Sequence, residues 1–155
     1  MPVSSEHNKR LEKLHSLYLL DSPTDPAFDR LTRLVSNILK TPISLVSLVD
    51  GNRQFFKSFV GLPEPWATTR ETPLSHSFCQ HVVTTGKPLI ITDARTEPLV
   101  QDNLAIEELG VIAYAGMPMI TSDGYILGSF CAIDTQPKQW TDEELNILSD
   151  LTDSV

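Results

Sequence analysis

The chain has 155 residues, enough for one domain whose core can remove about 70% of its unfolded surface from water. Its formal net charge is −8 and its 12 Lys and Arg residues are scattered, which argues against nucleic acid or an anionic membrane as a main partner. Cys79 and Cys131 form neither a C-x-x-C pair nor a disulfide framework, no apolar run approaches the roughly 20 residues of a bilayer span, and the first residues lack a signal-peptide pattern, so the expected location is cytoplasmic.

In chain order, residues 6–20 place Leu11, Leu14 and Tyr18 at i, i+3 and i+7, the spacing of a helix with one apolar stripe. Pro23 and Pro26 interrupt it. Asp25 is positioned to cap a second helix with Pro26 in its first turn. Phe28, Leu31, Leu34, Val35, Ile38 and Leu39 then recur with a helical period, so one face is expected to be buried. Pro42 ends that helix. Residues 43–49 read as a strand that is apolar on both faces and hence central in its sheet. Asp50-Gly51-Asn52 turns the chain into an antiparallel neighbour over 53–60.

Residues 61–73 contain Trp66 and three prolines and read as a lid or irregular arm. A short helix is expected over 75–85, closed by Gly86, followed by a strand over 88–92 that ends at Asp93. A further helix over 103–109 stops at Gly110. Residues 111–120 and 125–133 form a hairpin around Thr121-Ser122-Asp123-Gly124, irregular or unpaired at Pro118. Thr141-Asp142-Glu143-Glu144 is a capping box that opens a last helix carrying Leu145, Leu148 and Leu151. Helices flanking antiparallel hairpins make an α+β domain over 1–155, rather than a βαβ dinucleotide fold.

Several segments add a family resemblance: Phe28-Asp29-Arg30-Leu31, the strand 42–50, Gln54-Phe55-Phe56-Lys57-Ser58, Ser77-Phe78-Cys79-Gln80-His81, the stretch 89–94, and the final strand 128–134. In this order, over about residues 8–152, the chain resembles the GAF domain family. The resemblance implies a GAF/PAS-like antiparallel sheet of five to six strands. The N- and C-terminal helices would pack on one face and a ligand pocket would lie on the other. It also implies a sensory module beside a histidine kinase, diguanylate cyclase or phosphatase, with an unidentified small molecule as ligand.

The densest cluster of reactive side chains is Ser75 to His81. His76 and Cys79 can share a helical face, but His81 points away from Cys79, so no metal site is expected. Bilin-binding relatives attach their chromophore at a Cys commonly followed by His, whereas Gln80 separates Cys79 from His81; bilin is not expected. Haem needs only one axial His, yet a His beside a helix start is more often a cap or surface group, so haem is not expected either. The cyclic-nucleotide signature of the family is missing. Free methionine-R-sulfoxide reductases resemble single GAF domains too, but their loop cysteine has no counterpart within 98–110. The leading expectation is therefore a non-catalytic module. A thiol-dependent reductase and a ligand-free dimerisation or docking module are the alternatives.

Strand alternation puts Ile112, Tyr114 and Gly116 on one face and Ala113, Ala115 and Met117 on the other. The pocket candidates are Ser77, Cys79, Asp93 and Tyr114 as polar lining, with Phe55 and Met117 as apolar wall. Ordinary packing or capping explains each of them equally well. The leucine stripes of the first and last helices suggest a homodimeric helical bundle.

Overall fold

The structure, a computed structural model, describes residues 5–153. Six strands form its centre: β1 (Ile43–Val49), β2 (Arg53–Val60), β3 (Glu71–Pro73), β4 (Leu89–Ile91), β5 (Ala113–Ile120) and β6 (Ile126–Asp134). They lie in the order β3-β2-β1-β6-β5-β4, every neighbouring pair antiparallel. The central place of β1 follows from its sequence, since all seven residues are buried.

The period-two alternation divides the core into two layers. Val46, Leu48, Ala115, Met117, Phe130 and Ala132 face one side, while Leu45, Tyr114, Cys131 and Ile133 face the other. The register skips Lys57, which makes it the extra residue of a bulge opposite Val46 and Ser47. The bulge turns both Lys57 and Ser58 toward the long helices. There Lys57 Nζ donates to Ser22 Oγ (2.7 Å), and Ser58 Oγ donates to Asp29 Oδ1 (2.6 Å).

Helices α1 (Ser5–Ser16), α2 (Pro26–Leu39) and α6 (Asp142–Thr152) cover the first layer. Asp25 caps α2 by accepting from the Ala27 amide at 2.8 Å, and Thr141 and Glu144 close the capping box of α6. Val35 and Leu39 are buried, whereas Leu34 and Ile38 are 38% and 46% exposed, so the apolar stripe of α2 is wider than the sheet covers. Within the chain, α6 packs beside α2 and over β5. The first helix ends earlier than the leucine spacing predicts. Tyr18 has φ 55° and is 86% exposed, so the buried stripe stops at Leu14.

The second layer is built from short pieces: α3 (Trp66–Thr69), α4 (Cys79–Thr85), α5 (Ala105–Glu108) and single 3-10 turns at Leu74–His76 and Ala94–Thr96. The expected irregular arm over 61–73 thus contains both α3 and the edge strand β3. Arg70 fixes it, donating to the carbonyls of Ser22 (2.8 Å), Lys57 (3.1 Å) and Phe56 (3.2 Å). Pro118 keeps its register opposite Ser129 and is unpaired on its other side, one of the two arrangements expected of it. Strand β4 reaches only Gly116, so β5 is a sheet edge at Pro118, where proline is tolerated. The irregularity falls instead between Met119 and Ile120.

Candidate functional site

The second layer holds a chamber between the sheet and α4–α5. Gly86, at φ 69°, ends α4 after seven residues and so keeps it short enough to sit over β6 and β5. The 3-10 turn before α4 brings Ser77 and Cys79 down onto the sheet, where both are buried. Tyr114 rises from β5 to meet them. Its hydroxyl donates to Cys79 Sγ at 3.2 Å and shares a 2.9 Å hydrogen bond with Ser129 Oγ of β6.

Gln54, only 2% exposed, is the hub of a second network. Its Oε1 accepts from Ser47 Oγ (3.1 Å) and Ser77 Oγ (2.8 Å). Its Nε2 donates to Thr72 Oγ1 (2.8 Å) and to the His76 carbonyl (3.2 Å). The amide therefore spends its full hydrogen-bonding capacity inside the fold. His76 closes one wall, with Nε2 2.6 Å from Glu108 Oε2, Nδ1 3.0 Å from Ser75 Oγ, and its ring 5.1 Å from that of Trp66.

The space left among Gln54, His76, Phe78, Cys79, Tyr114 and Ile133 is about 20 Å³. That is room for about one water molecule, far below the roughly 300 Å³ at which small-molecule pockets begin. A planar tetrapyrrole has no room here unless Phe78 and Tyr114 move. Gly116, two residues along β5 on the same face, leaves space beside Tyr114 by having no side chain. The phenol itself takes that space, because a Cβ built on Gly116 would lie 2.4 Å from the Tyr114 oxygen and 2.6 Å from Ser129 Oγ.

Cys79 and Cys131 are both buried at this spot, on opposite sides of Tyr114 in sequence but neighbours in the fold. The neighbouring Cys131 thiol and the hydrogen bond from Tyr114 hold the Cys79 thiol below the usual thiol range against the cost of burial. Burial pushes Cys131 and Tyr114 well up, so Cys79 ionises first.

Of the six residues expected at the pocket, the structure brings Ser77, Cys79 and Tyr114 together. Phe55 and Met117 lie in the opposite layer, under the long helices. The cause is strand alternation: Phe55 is one residue from Gln54, and Met117 is three from Tyr114. Phe55 instead carries the Arg70 guanidinium 4.8 Å from its ring centroid. Asp93 stands outside the chamber and caps the Ala94–Thr96 turn, accepting from the Arg95 amide (3.0 Å) and guanidinium (2.9 Å). The Arg95 hydrogen bonds lower its pKa. Gln54, which lines the chamber, its hydrogen-bond partners Ser47 and Thr72, and the Tyr114 partner Ser129 were missed by the sequence reading. Their signal was available: a polar residue inside a strand buried on both faces must find a partner there.

An antiparallel six-stranded sheet with long helices on one face and a chamber roofed by short helices on the other defines a small α+β domain of known type. Residues 23–155 match the GAF domain family, and the chain belongs to it. Over 138 residues it is 31% identical to a cyclic di-GMP phosphodiesterase of Pseudomonas aeruginosa. That match covers 88% of this chain and 23% of the phosphodiesterase, so the chain spans about a quarter of the relative's length. Among solved structures, the GAF domain of a phosphoenolpyruvate-protein phosphotransferase from Coxiella burnetii superposes with a TM-score of 0.70 at 16% identity, covering 97% of this chain and 92% of that one. A domain of a two-component sensor histidine kinase from Sinorhizobium meliloti gives 0.63 at 16% identity, with 82% and 84% covered. A type II free methionine-R-sulfoxide reductase from Thermoplasma acidophilum gives 0.66 at 14% identity, with 94% and 91% covered. The fold is thus common to signalling modules and to an enzyme. Among the described residues no helix is long and apolar enough to cross a membrane.

Proposed function

We propose that the chain is a regulatory GAF module that catalyses nothing itself and controls a signalling effector through the packing of its long helices. The observation that carries this reading is the self-filled chamber. Gln54 and Tyr114 occupy the space and the hydrogen bonds that a bound cofactor would need, and both thiols are sealed beneath them. Kinship with part of a cyclic di-GMP phosphodiesterase supports an effector of that kind, with histidine kinases and diguanylate cyclases as the other candidates. Leu34 and Ile38 on α2 form the exposed ridge on which a second copy would pack, giving a homodimer whose helix packing the effector reads.

The test is a chimera in which this chain replaces the matching segment of the Pseudomonas aeruginosa phosphodiesterase. A regulatory module alters the rate of cyclic di-GMP hydrolysis relative to a flexible linker, and Leu34→Ser with Ile38→Ser abolishes the difference. A chimera indistinguishable from the linker version refutes the proposal. The proximity of Cys79 to Cys131 is the one feature that favours a reductase. Against it stands their burial, and turnover of free methionine-R-sulfoxide by the purified chain would decide for that reading.

A further inference from the structure

A second cavity lies outside the chamber, where α1 crosses the open end of the sheet. It is a cleft of about 840 Å³ between α1, the β1–β2 turn, α4 and the β5–β6 turn, within the range of small-molecule sites. Arg10 of α1 lines it and is only 6% exposed. One end of its guanidinium is fixed, since Nη1 donates to the Ile126 carbonyl at 3.2 Å. Nε and Nη2 have no hydrogen-bond partner among the described residues. These two atoms form the side-on edge of the guanidinium, two parallel N–H groups whose spacing matches the two oxygens of one oxyanion; both are closed to solvent, so a ligand in the cleft reaches them by displacing the groups that cover them. A buried cation with an unsatisfied fork is costly unless a partner fills it.

The neighbouring acids do not fill it. Asp50 accepts from His15 Nε2 (2.9 Å), the Gly51 amide (2.8 Å) and Arg53 Nε (3.4 Å). Asp123 pairs with Lys13 at 3.1 Å and accepts from Thr121 Oγ1 at 2.5 Å. Both nevertheless line the cleft and repel a ligand of high negative charge. Lys9 at the same cleft adds a cation that makes no ion pair among the described residues. The rest of the wall mixes Leu74, Val83 and Tyr125 with Gln80 and Thr84, a surface that suits a partly apolar body.

We propose that this cleft binds a small molecule bearing a single carboxylate, held bidentate on the Nε–Nη2 edge of Arg10. The regulatory reading gives the site its purpose, because α1 leads directly into the helical layer. The binding claim itself does not need that reading.

The probe is sodium benzoate, titrated at constant ionic strength against the ¹⁵N-labelled chain while the arginine Nε–Hε cross-peaks are followed. Inorganic phosphate and chloride serve as parallel titrants. The expected result is a saturable shift of the Arg10 peak with benzoate in the millimolar range and no response to chloride. Arg10→Lys keeps the charge without the fork and should weaken the shift of the Tyr125 amide about tenfold or more. No saturable shift with benzoate, an equal response to chloride, or saturation by phosphate alone would overturn the proposal. The wild-type titration stands even if an Arg10 variant does not fold. A negative result leaves the phosphodiesterase chimera as the separate judge of the regulatory role.

Discussion

Replacing Gln54 by Leu keeps the side-chain volume nearly constant and removes all four of its hydrogen bonds. Ser47 Oγ, Ser77 Oγ and the His76 carbonyl lose a partner in a buried site with room for no more than about one water, which cannot replace all three bonds. Thr72 retains its bond to the Pro73 carbonyl at 3.0 Å, so it adds little. At about 1–3 kcal/mol for each orphaned group, and with hydroxyls free to turn, the loss is about 3–5 kcal/mol. For a chain of this size that is a fall in Tm of roughly 10–15 °C, read by calorimetry or circular dichroism. Gln54→Glu supplies a signed control. It retains an acceptor for Ser47 and Ser77 but turns an oxygen toward the His76 carbonyl, in a buried site that raises its pKa. A carboxyl with a raised folded pKa does least harm below its unfolded pKa of about 4.3, and its penalty grows as pH rises toward the folded value. The gap in Tm between wild type and Gln54→Glu should therefore widen from pH 4 to pH 7. A Gln54→Leu protein within a few degrees of wild type, or a Gln54→Glu gap that does not change with pH, would refute the chamber as described.

Gly116→Ala would force a methyl group into the Tyr114 phenol and Ser129, and overpacking of this kind costs about 1–3 kcal/mol; Tm should fall, and an unchanged value would mean that the phenol is not seated there. Cys79 and Cys131 should resist a disulfide thiol reagent in the folded protein and react together once denatured, with a thiol that titrates on mixing counting against their burial. Burial raises the pKa of Asp50, but hydrogen bonds from His15 and Gly51 lower it further, so its net shift is downward. The stability that Asp50 contributes is accordingly present above its unfolded pKa of about 3.9 and lost as pH falls through its lower folded pKa. The Tm difference between wild type and Asp50→Asn should be full at pH 6 and shrink toward pH 3, and a difference that grows on acidification would contradict the pairing.

Much of the fold was legible because the decisive signals are local. Asp25, Pro26, Thr141 and Glu144 mark helix starts by their own chemistry, and the uninterrupted apolar run of β1 marks the centre of the sheet. The end of α1 was not legible, since Leu11, Leu14 and Tyr18 fit a helical period that the left-handed turn at Tyr18 breaks. Strand β3 was hidden among prolines, and Arg70 holds it through carbonyls distant in sequence. Half of the site was readable from Ser77, Cys79 and Tyr114. The remainder depends on which face of each strand looks inward, and the alternation that placed Tyr114 inward already placed Met117 on the other side. The Arg10 cleft had no sequence signal, because α1 reaches the two hairpin turns only in the folded chain.

A native mass spectrum of freshly purified protein, with its absorbance recorded on the same sample, tests most directly whether the chamber is filled by its own side chains. The expected result is the mass of the bare polypeptide and its homodimer, with no absorbance in the visible. A stoichiometric added mass or a visible band, retained in an Arg10→Gln variant and so not held in the cleft, would contradict it.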